Sequence, residues 1–410
     1  MFGYFLEHNR FMGFFGIIVI IAIAFLFSKN KRNIKWRTVF TGLAMQFGLA
    51  FFIIKTSVGV KIFSAMSSGF SKLYEFADQG ASFLFGSLAD KSGSWGVIFA
   101  IKLVPTIIFF GALMSLLFHL GVVQFFVKII SFVIRPLLGT SGAETLCAAS
   151  NSMLGQTEAP LLVKKYLKNM TPSEMLLVMV SGMATLSGAI LAIYGMLGVS
   201  MPHLLTASVM AVPGSILISK ILYPEDGKPE TLGKNQIVLK RDSKNVLDAI
   251  SLGTLDGMKL AANVAAMLIA FISLMAFADF IIGSFTQYTI GVNYTLSILF
   301  GKVFYCIAIV LGIAKEDWAN AGSLIGTKLV INEFVAYLDM LKMDLAPRSR
   351  DILIFVLAGF ANVSSIGIQI GGIGALVPEK RDMLLKLGVL ALLGGTLANL
   401  LNAAVAGLFL

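Results

Sequence analysis

The sequence predicts an all-α polytopic membrane protein, with eight transmembrane helices, two re-entrant helical hairpins in inverted repeats, and interfacial amphipathic helices. Three observations carry that expectation. Of 410 residues, 57% are hydrophobic and 13% charged, at a mean hydropathy of +0.87, whereas soluble chains average about 45–50% apolar and about 25% charged. Apolar runs long enough to cross a bilayer recur along the chain. Two further apolar runs are broken by polar clusters, one in each half. A disordered or fibrous chain is excluded, since 33 phenylalanines occur without a low-complexity tract. A net charge of +10 in a soluble protein would prompt a search for nucleic acid. In a membrane it marks cytoplasmic loops, and no nucleic-acid partner is expected. Cys147 and Cys306 sit in apolar surroundings and His8, His119 and His203 are scattered, so neither a disulfide framework nor a metal cluster is indicated.

The first span, Phe11 to Phe27, is followed by Lys29, Lys31, Arg32, Lys35 and Arg37. By the positive-inside rule the N-terminus faces outward. A signal peptide would carry its charge on the other side of the run. The Phe-rich start, Phe2 to Phe15, reads as a lipid-facing or interfacial anchor. Val39 to Ile54 leads outward again. From Lys55 to Gly96, Lys61, Lys72, Glu75, Asp78 and Asp90 alternate with apolar residues at helical spacing, the mark of an amphipathic interfacial helix. Val97 to Leu120 crosses inward, and Val122 to Leu138, with Lys128 and Arg135, is a second interfacial helix. Met175 to Leu197, Leu204 to Leu222, Leu260 to Ile282, Ile352 to Leu376 and Met383 to Leu410 are the later spans. Leu296 to Leu311, broken by Lys302, is a third interfacial helix. The basic linker Pro224 to Asn245 falls in the cytoplasm, which leaves both termini extracytoplasmic. Four regions follow: 1–96 with two spans and an amphipathic helix, 97–222 as a first repeat, 223–250 as a cytoplasmic linker, and 251–410 as a second repeat.

The interrupted runs are Thr145 to Val163, carrying Gly155-Gln156-Thr157-Glu158-Ala159-Pro160, and Ala321 to Leu338, carrying Asn332-Glu333-Phe334. Thr145 to Leu154 as helix covers about 15 Å, half of a hydrocarbon core of about 30 Å, so a hairpin turns near the midplane. A carboxylate there costs roughly 2.5 to 3.5 kcal/mol on insertion scales and is a functional candidate by default. Glu158 has the neutral Gln156 and Thr157 beside it, while Glu333 has Lys328 nearby as a possible ion-pair partner. Each hairpin leads through a short polar link into a span interrupted by small and polar residues, Ser181 to Gly188 and Ala358 to Ser365. The first link, with Lys164, Lys165 and Lys168, falls inside and the second outside, so the halves are inverted. Paired broken segments in inverted halves point to a secondary transporter with its site at the midplane, because broken helices free carbonyls for a cation and N–H groups for a polar substrate. A channel would more naturally show unbroken pore-lining helices. No enzyme is expected, because no nucleophile, base and orienter occur together. Gly367, Gly371, Gly372 and Gly374 have no preceding strand and are not a dinucleotide loop.

The Gly155–Pro160 run, the Asn332–Tyr337 run and Gly359-Phe360-Ala361-Asn362-Val363-Ser364-Ser365 resemble the signatures of the concentrative nucleoside transporter family, over nearly the whole chain. The resemblance implies a homotrimer in the plasma membrane, of the bacterial inner-membrane type, whose transport domain moves against a fixed scaffold. It implies that Gln156, Thr157 and Glu158, with the apolar Ile190, contact the nucleobase. Glu333, Asn362 and Ser365, with Phe360 packed beside the sugar, match the ribose set. Such acceptors suit vicinal hydroxyl donors. The family's sodium site resembles Asn151, Thr185 and main-chain carbonyls near Leu154 and Leu186, all oxygen ligands suited to a hard cation. The expected function is cation-coupled nucleoside symport by alternating access, driven by sodium, with no cofactor. Proton coupling through Glu158 or Glu333 is the alternative, and a passive nucleoside channel or sensor the reading from another class.

Overall fold

The computed structural model describes residues 10–89, 98–232 and 243–410. The chain before Arg10, including His8 and the start of the Phe-rich anchor, lies outside the described residues. So do the last part of the amphipathic stretch, Asp90 to Gly96, Val97 at the start of the next expected span, and the Lys234–Arg241 portion of the linker.

The described chain is helical throughout. α1 (Phe11–Leu26) and α2 (Trp36–Lys55) precede α3 (Ser57–Phe85), which buries only Gly59, Ala77 and Ala81. Lys102 ties α3 to α4 (Phe99–His119) through Asp78 at 2.9 Å. α5 (Val122–Leu138) buries Val123, Val127, Ile134 and Leu138, and exposes Phe125, Phe126, Ile129, Phe132 and Val133 on its other face. α6 (Gly142–Asn151) starts at a capping box, Ser141 with Glu144. Its return arm is two single turns, α7 (Ala159–Leu162) and α8 (Lys164–Leu167), separated at Val163. α9 (Pro172–Ala184), opened by the capping box of Thr171 and Glu174, and α10 (Gly188–Met196) are the two pieces of one broken run. α11 (Met201–Leu222) and α12 (Val246–Ile290) follow, then α13 (Leu296–Val310). The second half repeats the order of the first: a helical pair α14 (Trp318–Val330) and α15 (Glu333–Lys342), then a broken run α16 (Pro347–Leu357) and α17 (Val363–Leu376), then α18 (Arg381–Gly407).

Among the described residues, six stretches are long and apolar enough to cross a membrane: Trp36–Lys55, Ala100–His119, Pro172–Met196, Met201–Leu222, Val246–Thr289 and Pro378–Gly407. Eight are expected from sequence, and the difference has two sources. α1 has 16 described residues, about 24 Å of helix. The expected span Ile352–Leu376 is cut in two where Asn362 caps a new helix. A further difference is α12, expected over Leu260–Ile282 but continuous for 45 residues, about 68 Å. Asn245, placed in the linker by sequence, accepts from the Asp248 amide and starts this helix early.

Burial sorts the helices into layers. Of the spanning window of α11, 94% is buried, against 6% for that of α12. α9 to α11 and α18 thus form the interior, and α12 packs outside, where it crosses α4. A Cβ on Gly111 would come within 2.7 Å of the Gly253 carbonyl, so this crossing depends on small residues as membrane helix pairs do.

Contacts also sort the loops into two ends. At one end, the Lys29 amide donates to Leu222 O at 2.9 Å, Ser173 Oγ to Tyr223 O at 2.7 Å, and Lys380 Nζ to Met170 O at 3.1 Å. At the other, Arg10 donates to Leu410 O at 2.8 Å, and Arg348 to Gly407 O at 2.8 Å and Gly312 O at 2.7 Å. α9 therefore begins beside the start of α18, and α16 beside its finish. The two broken runs point in opposite directions.

Candidate functional site

The two breaks meet at the centre of the buried layer. α9 ends at Ala184, Thr185 is extended, and Ser187 caps α10 by accepting from the Ile190 amide. α16 ends at Leu357, and Asn362 Oδ1 accepts from the Ser365 amide at 2.9 Å to start α17. The breaks touch directly, since the Phe360 amide donates to Thr185 O at 3.3 Å. Asn399 of α18 joins them again, donating through Nδ2 to Ala184 O at 2.7 Å and Ala358 O at 3.0 Å. Gly359 lies so close to Asn399 that a Cβ would collide with its amide. Helix ends that would otherwise leave orphan carbonyls in a buried layer are thus partly satisfied by one side chain.

Around this crossing the polar side chains form one hydrogen-bonded chain. Glu333, 5% exposed, accepts from the Tyr194 hydroxyl at 3.0 Å and from Asn362 Nδ2 at 3.2 Å. Asn362 holds Ser365, and Ser365 Oγ accepts from Gln156 Nε2 at 3.3 Å. Gln369 Nε2 donates to Gln156 Oε1 at 3.1 Å and to Met179 O at 3.0 Å. Four of the expected residues, Gln156, Glu333, Asn362 and Ser365, are therefore brought together from both halves. Thr157 lies against Gly372, where a Cβ would press on the threonine methyl at 2.7 Å. Ile190 is buried and Phe360 half-buried at the breaks.

Glu158 differs from its expected burial. It lies among many protein atoms yet keeps an accessible face, and its Oε2 accepts the Gly155 amide at 3.0 Å across the turn. It does not join the Glu333 chain. Other carboxylates are more deeply buried: Glu144 and Glu174 meet Lys220 and Ser141, with Lys220 Nζ 2.6 Å from Glu144 and Ser141 Oγ donating to Glu174 at 2.5 Å. That cluster borders a small recess lined also by Asn33, Lys35 and Glu225, apart from the breaks.

A second group of oxygens lies on the first break. Asn151, the last residue of α6, is fully buried and donates through Nδ2 to Ser181 Oγ at 3.0 Å, while its Oδ1 has no hydrogen-bond partner. Thr185 Oγ donates to Ser181 O at 2.8 Å. The Gly188 amide donates to Met153 O at 2.9 Å and holds the turn containing Leu154 beside Leu186. A buried amide oxygen without a donor is costly alone, and a hard cation is the ligand for which such an acceptor is suited.

Lys328 is a correction. It makes no direct ion pair with Glu333 and donates instead to Val356 O at 2.6 Å and Asn399 Oδ1 at 2.7 Å, with the Glu333 charge still close enough to act on it. Tyr194, Gln369 and Ser181 bond the expected residues Glu333, Gln156 and Asn151, and Asn399 bonds Lys328, yet none of these four was singled out from sequence. Each is a polar side chain in an otherwise apolar run, which is the signal that singles them out.

A helical membrane chain with a buried polar network at the crossing of two oppositely directed broken helices belongs to the class of solute transporters. Three family profiles match it: Na+ dependent nucleoside transporter N-terminus over residues 15–88, nucleoside recognition over 100–201, and Na+ dependent nucleoside transporter C-terminus over 203–407. An uncharacterized transporter of Haemophilus influenzae is 40% identical over 408 residues, covering 96% of each chain. The nucleoside permease NupC of Helicobacter pylori is 37% identical over 406 residues, again covering 96% of each. The structure of CNTnw in an inward-facing substrate-bound state superposes with a TM-score of 0.92 at 37% identity, covering 97% of each chain. The chain belongs to the concentrative nucleoside transporter family, whose profiles are Na+-dependent. It is a multi-pass membrane protein and a nucleoside transporter, not an enzyme.

Proposed function

We propose that this chain is a sodium-coupled symporter that takes up nucleosides across the plasma membrane by alternating access. The observation that carries the reading is the Glu333–Asn362–Ser365–Gln156 chain, which draws on both halves at the crossing of two broken helices. Glu333 and Asn362 offer acceptors to the ribose hydroxyls, with Ser365 beside them and Phe360 against the sugar. Gln156, Thr157 and Glu158 hydrogen-bond the base and Ile190 covers its apolar face. Because these groups bond one another, an entering nucleoside exchanges their mutual bonds for its own, and groups of matching polarity lose little in the exchange. Sodium binds Asn151 Oδ1 and Thr185 with the carbonyls of Leu154 and Leu186; the unpartnered Asn151 oxygen supports this assignment.

In this reading α1 and the joined α16–α17 complete eight spans, and the pairs α6–α8 and α14–α15 are re-entrant hairpins of two inverted repeats. The repeats occupy 97–222 and 251–410, after an N-terminal region 1–96 and around a cytoplasmic linker 223–250. α3, α5 and α13 lie in the interface, both termini are extracytoplasmic, and three copies form the working trimer. Proton coupling rests on the accessible carboxylate of Glu158. One experiment decides: purified protein in liposomes accumulates labelled uridine or adenosine under an inward sodium gradient. Uptake under a proton gradient alone overturns the sodium assignment, and no accumulation under either gradient overturns symport.

A further inference from the structure

Lys328 is 2% exposed, and a buried ammonium is costly unless its charge is met. Its direct partners are neutral oxygens at a helix end, Val356 O and Asn399 Oδ1, and the Glu333 carboxylate adds attraction from beyond ion-pair distance. Val356 is in the last turn of α16, where the helix dipole places partial negative charge. The ends of half-helices in broken membrane spans are where transporters of this architecture hold coupling cations.

The first half presents the matching place. Asn151 in the last turn of α6 reaches Ser181 in the last turn of α9. Lys328 in the last turn of α14 reaches Val356 in the last turn of α16. In each half the first arm of a helical pair meets the end of a broken helix. In one the visitor is an amide with an unpartnered oxygen, and in the other it is a covalently attached cation. Asn399 couples the two places, since its Oδ1 accepts from Lys328 while its Nδ2 donates to Ala184 O beside Thr185. The lysine charge fixes which way this amide faces, and so fixes the carbonyls at the first break.

We propose that Lys328 is a tethered cation filling the second half's counterpart of the sodium site, so that one sodium ion accompanies each nucleoside. The inference rests on the sodium-coupled reading above. Nucleosides such as uridine are uncharged, so the charge moved per nucleoside counts the ions.

The test uses the full chain in proteoliposomes, with uptake of labelled uridine and the reversal potential measured over a range of sodium concentrations. The wild type is expected to move one charge per nucleoside. Lys328→Ser exchanges the ammonium for an oxygen ligand and space, so a second sodium is required. Its Hill coefficient for sodium is expected to rise from about one toward two, and the charge moved to double. Lys328→Met supplies neither charge nor ligand and is expected to lose most uptake at every sodium concentration. Two charges per nucleoside in the wild type, unaltered sodium dependence in an active Lys328→Ser, or full uptake by Lys328→Met each overturns the proposal. If neither variant assembles, the wild-type charge count still decides. A wild type that accumulates uridine without sodium sinks the sodium reading itself, an outcome distinct from a sodium-driven wild type with the wrong count.

Discussion

Glu333 is a carboxylate that is buried and satisfied at once, by the Tyr194 hydroxyl and the Asn362 amide. Glu333→Ala leaves two buried donors without their acceptor, at about 1–3 kcal/mol each, and each 1.4 kcal/mol is about tenfold in binding. Uridine uptake is therefore expected to fall at least about tenfold. Glu333→Gln keeps an acceptor oxygen and is expected to fall less. A 2′,3′-dideoxynucleoside separates substrate contact from damage to the fold. If Glu333 takes a ribose hydroxyl, the wild type prefers uridine over its dideoxy analogue and Glu333→Ala loses that preference. Equal preference in both proteins refutes the ribose role. Asn151 is tested in the same spirit. Asn151→Leu removes the unpartnered buried oxygen, so the sodium concentration for half-maximal uptake is expected to rise about tenfold, as the loss of one ligand worth about 1.4 kcal/mol implies. Unchanged sodium dependence in this variant removes Asn151 from the cation site.

The helix breaks carry their own prediction. Gly359→Ala sets a Cβ against the Asn399 amide and within 2.9 Å of the Ala184 carbonyl, and overpacking of this kind costs about 1–3 kcal/mol. Its melting temperature and its uridine uptake are both expected to drop. Gly367, five residues past the cap of α17, faces open space, so Gly367→Ala is expected to melt no lower than the wild type. Equal melting of both variants with the wild type contradicts the crossed-break packing. These elements were unequally visible in the sequence. The breaks were legible because small and polar residues interrupt apolar runs at Ser181–Gly188 and Ala358–Ser365, and the caps Ser187 and Asn362 are residue types that start helices. Glu333 was legible as a carboxylate in an interrupted apolar run, whereas the roles of Asn362, Ser365 and Gln156 were legible only through motifs. The Lys328–Asn399 bond was not, because its partners are 71 positions apart and a nearby glutamate offered the simpler pairing. The extension of α12 was missed for a different reason: its early turns are polar on one face, and hydropathy registers only the apolar middle.

At the scale of the molecule, α18 serves as a ruler. Its start lies beside Met170 at the head of α9, and its finish beside Arg348 at the head of α16. The links before those heads therefore belong to opposite ends of the protein, in agreement with the charge asymmetry: Lys164, Lys165 and Lys168 stand without acidic neighbours in sequence, whereas Lys342, Arg348 and Arg350 are interspersed with Asp339, Asp344 and Asp351. Arg10 and Leu410 share the second end, where Arg10 donates to Leu410 O, and the α1–α2 loop shares the first through Lys29 and Leu222. Contacts fix which loops are together but not which end faces the cytoplasm, and for that the charge rule assigns the lysine-rich end inward. Lys164 and Lys342 are both exposed, so single cysteines there report sidedness. The exposed Cys306 is first replaced by serine, while Cys147 is buried and stays. A membrane-impermeant maleimide is expected to label Lys342→Cys in intact cells and Lys164→Cys only after permeabilisation. Labelling of both from the same side refutes the inverted halves, and the reverse pattern keeps the inversion but turns the whole transporter over in the membrane.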